Sequence, residues 1–149
     1  MRIDIISLGK FKQALPYLEI FNFYKGRIST KVNLIELKTF NYNEKKLIFE
    51  KEEIIKHLND KDYVIALDKS GRNFSSREFA KTMSQKMLDG TTRICFLIGS
   101  EIGLDKYFTE SYESISFGKQ TWPHLLVRVM LIEQIYRTFE IIKGSSYHK

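Results

Sequence analysis

The side chains best suited to chemistry gather in the last third of this 149-residue chain. The run Ile115-Ser116-Phe117-Gly118-Lys119-Gln120-Thr121-Trp122-Pro123-His124 combines a glycine with an ammonium, an amide and an imidazole. It leads into an apolar stretch carrying Arg128, Glu133 and Arg137, and the chain closes on Tyr147-His148-Lys149. A terminal segment so dense in polar and catalytic residue types points to a site rather than a fraying end. Upstream, Gly99-Ser100-Glu101-Ile102-Gly103 offers backbone N–H groups that can approach a ligand where side chains would obstruct. A tight turn with no ligand would need the same glycines. The loop has neither the Gly-x-Gly-x-x-Gly fingerprint nor the Walker lysine, so neither a dinucleotide nor a nucleoside triphosphate is indicated.

These residues must be positioned by the elements around them. Short apolar runs alternate with stretches of helical period, the pattern of an α/β domain with a mostly parallel sheet and flanking helices. Strands are predicted at Ile3 to Leu8, Val32 to Leu37, Tyr63 to Leu67, Ile94 to Ile98 and Ser114 to Phe117. Helices are predicted at Leu15 to Tyr24, Glu44 to Leu58, Ser76 to Leu88, Asp105 to Glu110 and His124 to Lys143. Ser75 followed by Glu78 reads as a capping box, Gly90 as a helix stop, and Pro123 suits the first turn of the last helix. In open parallel sheets ligands bind beyond the carboxyl ends of the strands, which selects three loops: Asp68 to Gly71, Gly99 to Gly103 and Gly118 to Thr121.

Length and composition fit one globular domain over residues 1–149, with 43% hydrophobic and 28% charged residues. The net charge of +6 favours polyanionic partners such as nucleic acid, although lysines scattered from Lys10 to Lys51 serve a solvated surface equally well. Cys95 is the only cysteine and lies in an apolar run, consistent with a reducing compartment. The first residues, Met1-Arg2-Ile3-Asp4-Ile5-Ile6-Ser7, do not read as a signal peptide, and no run reaches the roughly 18 apolar residues of a membrane span. A cytoplasmic protein without membrane contact or metal centre is expected.

The last helix is apolar on two sides. Leu125, Val129, Ile132, Tyr136 and Phe139 form one face, and Leu126, Val127, Met130, Leu131 and Ile135 widen it nearly all the way round. Two apolar sides need two partners: the sheet for one and, for the other, either a second copy of the chain or the short helix near Asp105. The expectation is a homodimer through this helix. Glu133 and Arg137 are spaced for an i,i+4 ion pair.

Taken in order, the motifs resemble the ribosomal RNA large subunit methyltransferase H family of the SPOUT class. The resemblance is carried by Ala66-Leu67-Asp68 with Gly71, Phe96-Leu97-Ile98-Gly99 with Gly103-Leu104, Ile115 to Gln120, Pro123-His124, Leu126-Val127-Arg128, Glu133-Gln134, Tyr136-Arg137 and Tyr147-His148. It spans nearly the whole chain. It implies a C-terminal deep trefoil knot, against the general rule that chains are unknotted, with S-adenosyl-L-methionine bound in the knot and a homodimer as the working form. Carried over, the cofactor-binding positions fall on Leu67, Gly99, Ile115, Ser116, Phe117, Gly118, Lys119 and Gln120. The implied reaction is N3-methylation of a pseudouridine in large-subunit rRNA, on the assembled ribosome. His148, with Tyr147 beside it, is the candidate for the base that takes the imide proton. Arg128, Arg137 and Lys149 are candidate substrate contacts, while Glu133 is equally placed to pin either arginine.

The chain departs from the family pattern where Ser100 replaces a second glycine, where Ser145-Ser146 replaces His or Asn followed by Pro, and where Lys149 replaces Arg. These departures bear on the loop's approach to the cofactor and on a less pre-organised tail. Two rival readings stand beside this one: a SPOUT enzyme acting on tRNA or another rRNA nucleotide, and a non-catalytic module holding RNA during ribosome assembly.

Overall fold

The computed structural model describes residues 1–12 and 15–149. Among the described residues five strands and five helices alternate: β1 (Arg2–Leu8), α1 (Leu15–Lys25), β2 (Lys31–Leu37), α2 (Lys46–Ile55), β3 (Tyr63–Asn73), α3 (Ser76–Leu88), β4 (Arg93–Ile98), α4 (Lys106–Ser111), β5 (Glu113–Ser116) and α5 (His124–Lys143). The strands form one sheet in the order β2-β1-β4-β3-β5, and every pairing is parallel.

Central strands of a parallel sheet are covered on both faces and so read as continuous apolar runs. β4, Arg-Ile-Cys-Phe-Leu-Ile, is buried along its whole length, and β1 is buried from Ile3 to Leu8. One sheet face carries Ile3, Ile5, Ile65, Ile94, Phe96 and Ile98 against α1, α3 and α5; the other carries Ile6, Leu8, Val64, Cys95 and Leu97 against α2 and α4. At the amino ends of the strands Arg93 bridges Asp4 (2.7 Å) and Asp62 (2.5 Å), satisfying the acid that interrupts the first apolar run.

The capping box is present in full: Ser75 Oγ accepts from the Glu78 N–H and Glu78 accepts from the Ser75 N–H. Gly90 follows the α3 cap in the left-handed region at φ +78°. Three boundaries differ from the sequence reading. Pro123 is the N-cap of α5 rather than a first-turn residue, its extended ψ of 133° turning the chain into the helix. α2 is shorter than 44–58 at both ends: Asn43 closes a turn before it, accepting from Lys45 N through its side chain and from Lys46 N through its carbonyl, and after Ile55 the chain tightens, His57 N and Leu58 N donating to Ile54 O and Ile55 O. β3 does not end at Leu67: both Leu67 and Arg72 pair with Ile115 across a bulge, so the expected loop at 68–71 is a detour within the strand. Gly71 allows this, since a Cβ there would sit 2.7 Å from the Ile115 backbone nitrogen.

α5 lies between α1 and α3 over the sheet. These two helices, rather than α4, cover most of its second apolar side: Leu131, Ile132 and Ile135 are fully buried within one chain, while Leu126, Val127 and Met130 stay partly exposed. Among the described residues no helix is long and apolar enough to cross a membrane.

Burial also fixes the chemistry of Cys95. Its thiol is pushed up to about 12, chiefly by desolvation, with nearby Asp62 and Asp4 adding to the effect and Arg93 opposing it. A thiol kept protonated and inaccessible does not act as a nucleophile. Native protein at about pH 8 is expected to resist iodoacetamide and to alkylate fully once unfolded; rapid native alkylation would show that β4 opens.

Candidate active site

A cavity of about 270 Å³ opens at the β3 bulge and beyond the carboxyl ends of β4 and β5. Leu67, Gly99, Ile115, Phe117, Gly118 and Gln120 all line it, with Ile98 and Val127 adding apolar wall. The segment after β4 turns sharply: Gly103 N–H donates to Ser100 O at 2.9 Å, and a Cβ on Gly99 would stand 2.4 Å from the Gly103 carbonyl carbon. A loop folded so tightly on itself leaves backbone groups facing the cavity.

Ser116 and Lys119 do not line this cavity. Ser116 is buried and shapes the turn, its Oγ donating to Gly118 O (2.8 Å) and accepting from Gly118 N (3.0 Å). Lys119 is exposed. Trp122, whose indole N–H donates to Phe117 O at 3.3 Å, and His124 do line it. Neither was singled out from sequence for this role; the signal available was their place at the junction between a strand-end loop and a helix.

The loop that carries Ser100 rests on a buried ionic network. Lys46, fully enclosed at the first turn of α2, reaches Phe40 O (2.6 Å), Glu101 (2.9 Å) and Glu50 (3.1 Å), and Ser100 Oγ donates to Glu50 at 2.8 Å. Where a glycine would offer no side chain, the hydroxyl of Ser100 ties the loop to α2. The hydrogen bond from Lys46 holds the Glu101 carboxyl below the usual range, so a fixed negative charge borders the cavity.

Arg128 corrects a sequence expectation. Read from the family resemblance as a substrate contact, it is instead fully buried, and its guanidinium donates to Leu8 O (2.9 Å), Gly9 O (3.0 Å) and Glu36 (3.1 Å). Its planar fork is suited to bridging several acceptors at once. The end of β1 and α5 are clamped together by it.

Arg137 is held by Glu133 through two hydrogen bonds (3.0 and 2.5 Å), the i,i+4 pair read from sequence. The tail folds back onto this pair. Tyr147 donates to Glu133 at 3.0 Å, its ring packs edge-on against Tyr136, and His148 Nδ1 lies 3.3 Å from Arg137. The tail is thus docked without its proline. Arg137 lies about 15 Å of helix beyond Val127, and no residue after Val127 lines the strand-end cavity. His148 and Tyr147 therefore stand outside that cavity in their own chain, as does the exposed Lys149.

A further cavity of about 470 Å³ lies between α1, α3 and α5, lined by Ile20, Phe74, Phe117, Met130 and Glu133 among others, and it shares Ile115 and Phe117 with the first. Beside it Ile20 and Phe23 are about half exposed.

The strand-end cavity suits a donor carrying an aromatic ring and a cationic centre: apolar walls for the ring, backbone groups and the Glu101 carboxylate for the charge, and no phosphate cradle. Residues 1–148 match a family model described as a predicted SPOUT methyltransferase. The chain is 41% identical, over the whole of both chains, to the ribosomal RNA large subunit methyltransferase H of Clostridium botulinum (strain Kyoto / Type A2). It is likewise 41% identical to a putative enzyme of that name from Methanococcus maripaludis and 38% to that from Carboxydothermus hydrogenoformans, again over full length. Among solved structures, a probable methylase family protein from Haemophilus influenzae Rd KW20 matches at a TM-score of 0.55 and 14% identity, covering 99% of this chain and 70% of that one, a likeness of fold.

Proposed function

Because the chain belongs to the ribosomal RNA large subunit methyltransferase H family of SPOUT methyltransferases, we propose that it methylates N3 of a pseudouridine in large-subunit rRNA. S-adenosyl-L-methionine is the methyl donor and the assembled ribosome the substrate. The observation that carries this reading is the cavity where the β3 bulge meets the ends of β4 and β5, with Leu67, Gly99, Ile115, Phe117, Gly118 and Gln120 on its wall. When bound there, the cofactor supplies an electrophilic methyl group on a sulfonium. Leu67, Ile115 and Phe117 would enclose its adenine, and the Gly99 and Gly118 turns would bring backbone groups to it. Ser116 and Lys119 act on the loop's shape and its outer charge.

The same reading includes the family's knot and a homodimer. The partly exposed Leu126 and Met130, with Ile20 and Phe23 beside them, form the apolar surface for a second copy. Since Tyr147, His148 and Lys149 lie away from their own cofactor cavity, their contribution is to RNA or to the partner's site. Arg137, held by Glu133, orients this tail.

The test is transfer of labelled methyl from S-adenosyl-L-methionine to ribosomes from cells lacking this protein, with free rRNA and tRNA as rival acceptors. Label mapped to a large-subunit pseudouridine supports the reading; label in tRNA alone, or none despite cofactor binding, rejects it. Truncation after Gly144 is expected to leave cofactor affinity within about 3-fold, because no tail residue lines the cavity, and to cut transfer at least ~10-fold. Full transfer by the truncated chain would remove the tail from the mechanism.

A further inference from the structure

Besides the cavity between α1, α3 and α5, the strand-end cavity has a second neighbour. A cavity of about 470 Å³ lies between the loop after β1 and the start of α5, and Ser100, Glu101 and His124 border both spaces. Its apolar wall includes Phe11 and Leu125, and the exposed Lys10 and Lys12 line it too. The loop holding those lysines is tightly shaped: Gly9 has φ +86°, and Lys12, at φ +52°, is the one non-glycine in the left-handed region among the described residues.

Resting on the methyl-transfer reading above, we propose that this second cavity receives the acceptor pyrimidine of the RNA, swung out of its stack, and that His124 takes the pyrimidine's imide proton. In-line transfer requires the nucleophile on the far side of the methyl from sulfur, so the acceptor must adjoin the cofactor cavity. Within this cavity only the groups on the wall it shares with the cofactor cavity, Ser100, Glu101 and His124, border both partners. Of these, Ser100 is spent on Glu50 and Glu101 on Lys46, which leaves the imidazole of His124. A pyrimidine slides against Phe11 and Leu125, while Lys10 and Lys12 take the flanking phosphates.

In the step itself the N3–H bond breaks and its proton goes to a ring nitrogen of His124. The nitrogen electron pair forms the bond to the methyl carbon as the carbon–sulfur bond breaks, and that pair remains on sulfur. The positive charge leaves sulfur and ends on the imidazolium. The charged groups facing His124 are Arg128 from the next turn of α5, Glu101 from the loop after β4, and Lys10 and Lys12 from the loop after β1. Burial, then Arg128, hold the imidazole below its ordinary 6.5 against the opposing pull of Glu101. It is neutral at pH 7 and ready to accept.

The experiment measures single-turnover transfer to unmodified ribosomes at saturating cofactor, from about pH 5.5 to 9, beside calorimetric titration of S-adenosyl-L-methionine. His124→Asn is expected to bind cofactor within about 3-fold of wild type, to transfer ~10²- to 10⁴-fold more slowly, and to lose the acid limb that wild type shows below 6.5. An unchanged rate, a persisting acid limb, or an equal loss of cofactor affinity and rate overturns the assignment. If that variant does not fold, the wild-type profile decides, a rate flat across the acid range overturning the base. A Lys10→Gln, Lys12→Gln double variant should require more ribosome for half-maximal rate with unchanged cofactor affinity; no such change overturns the placement of the RNA. Wild type that methylates no ribosome at all overturns the activity itself, and is told apart because no variant is then needed.

Discussion

Replacing Arg128 with Met is expected to destabilise the protein by about 3–5 kcal/mol, as breaking a buried hydrogen-bonded ion pair does. The guanidinium is fully buried and answers two backbone carbonyls, Leu8 O and Gly9 O, and the Glu36 carboxylate. Met matches its length but donates nothing, so both carbonyls lose the guanidinium, and among the described residues Glu36 is left with the Phe11 N–H at 2.6 Å. Stacking of the guanidinium over the Phe11 ring, 4.9 Å from its centroid, is lost as well. For a domain of this size the loss corresponds to a fall in Tm of roughly 10 °C or more. Desolvation lowers the pKa of Arg128 against the pull of Glu36, yet a guanidinium is so strong a base that it stays charged at any working pH, so the loss should be nearly independent of pH. Arg128→Lys should recover part of it, because an ammonium is a point charge without the fork. Thermal melts of the three proteins check this. Unchanged melting with a raised ribosome KM in Arg128→Met would return the residue to the substrate contacts.

Arg128 also marks where sequence reasoning reaches its limit. At 100° per residue Arg128 stands on the side of α5 that carries Leu131, Ile132 and Ile135, opposite Arg137, so the period itself points it into the core; the groups that accept from it lie 92 to 120 residues away along the chain, beyond anything local spacing reports. Lys46 and Glu50 behave alike: on an ordinary amphipathic pattern they read as surface, and only packing of α2 against the Ser100 loop encloses them. What was legible had a local cause. Continuous apolar runs gave β1 and β4 because a central parallel strand is buried on both faces. Ser75 and Glu78 gave the start of α3 because the capping box is closed within four residues. The strand-end rule gave the loops at Gly99 and Gly118 before any family was considered. The continuation of β3 through Asn73 was not legible, since Asp68-Lys69-Ser70-Gly71 carries turn residues and its strand pairing depends on a bulge against β5. The two-sided α5 was read correctly as needing two partners, but α1 and α3 within the same chain supply much of the second.

The largest effect on cofactor binding is expected from Gly99→Ala. Cavity and turn meet at this residue: its missing side chain is the space into which the loop folds back, and a Cβ would come within 2.4 Å of the Gly103 carbonyl carbon, 2.5 Å of its oxygen and 2.7 Å of the Leu104 nitrogen. All three are backbone atoms, so no rotamer change relieves the clash. The loop must open, breaking the bond from Gly103 N–H to Ser100 O and moving the wall the cofactor touches. Affinity for S-adenosyl-L-methionine is expected to fall at least ~100-fold, close to 2.8 kcal/mol. Melting should change less than in Arg128→Met, because the clash is confined to the turn after β4 while β4 itself keeps its pairing. Gly103→Ala is the instructive contrast: a Cβ there meets nothing within 4 Å, but φ is +85°, so only backbone strain of about 1–2 kcal/mol opposes it. Gly90→Ala, equally open at φ +78° and far from the cavity at the end of α3, serves as the control for strain alone. The ranking Gly99, then Gly103, then Gly90 in calorimetric affinity follows from close approach deciding the first and conformation the others. Equal affinities for Gly99→Ala and Gly90→Ala would mean that the turn after β4 does not form the cofactor wall.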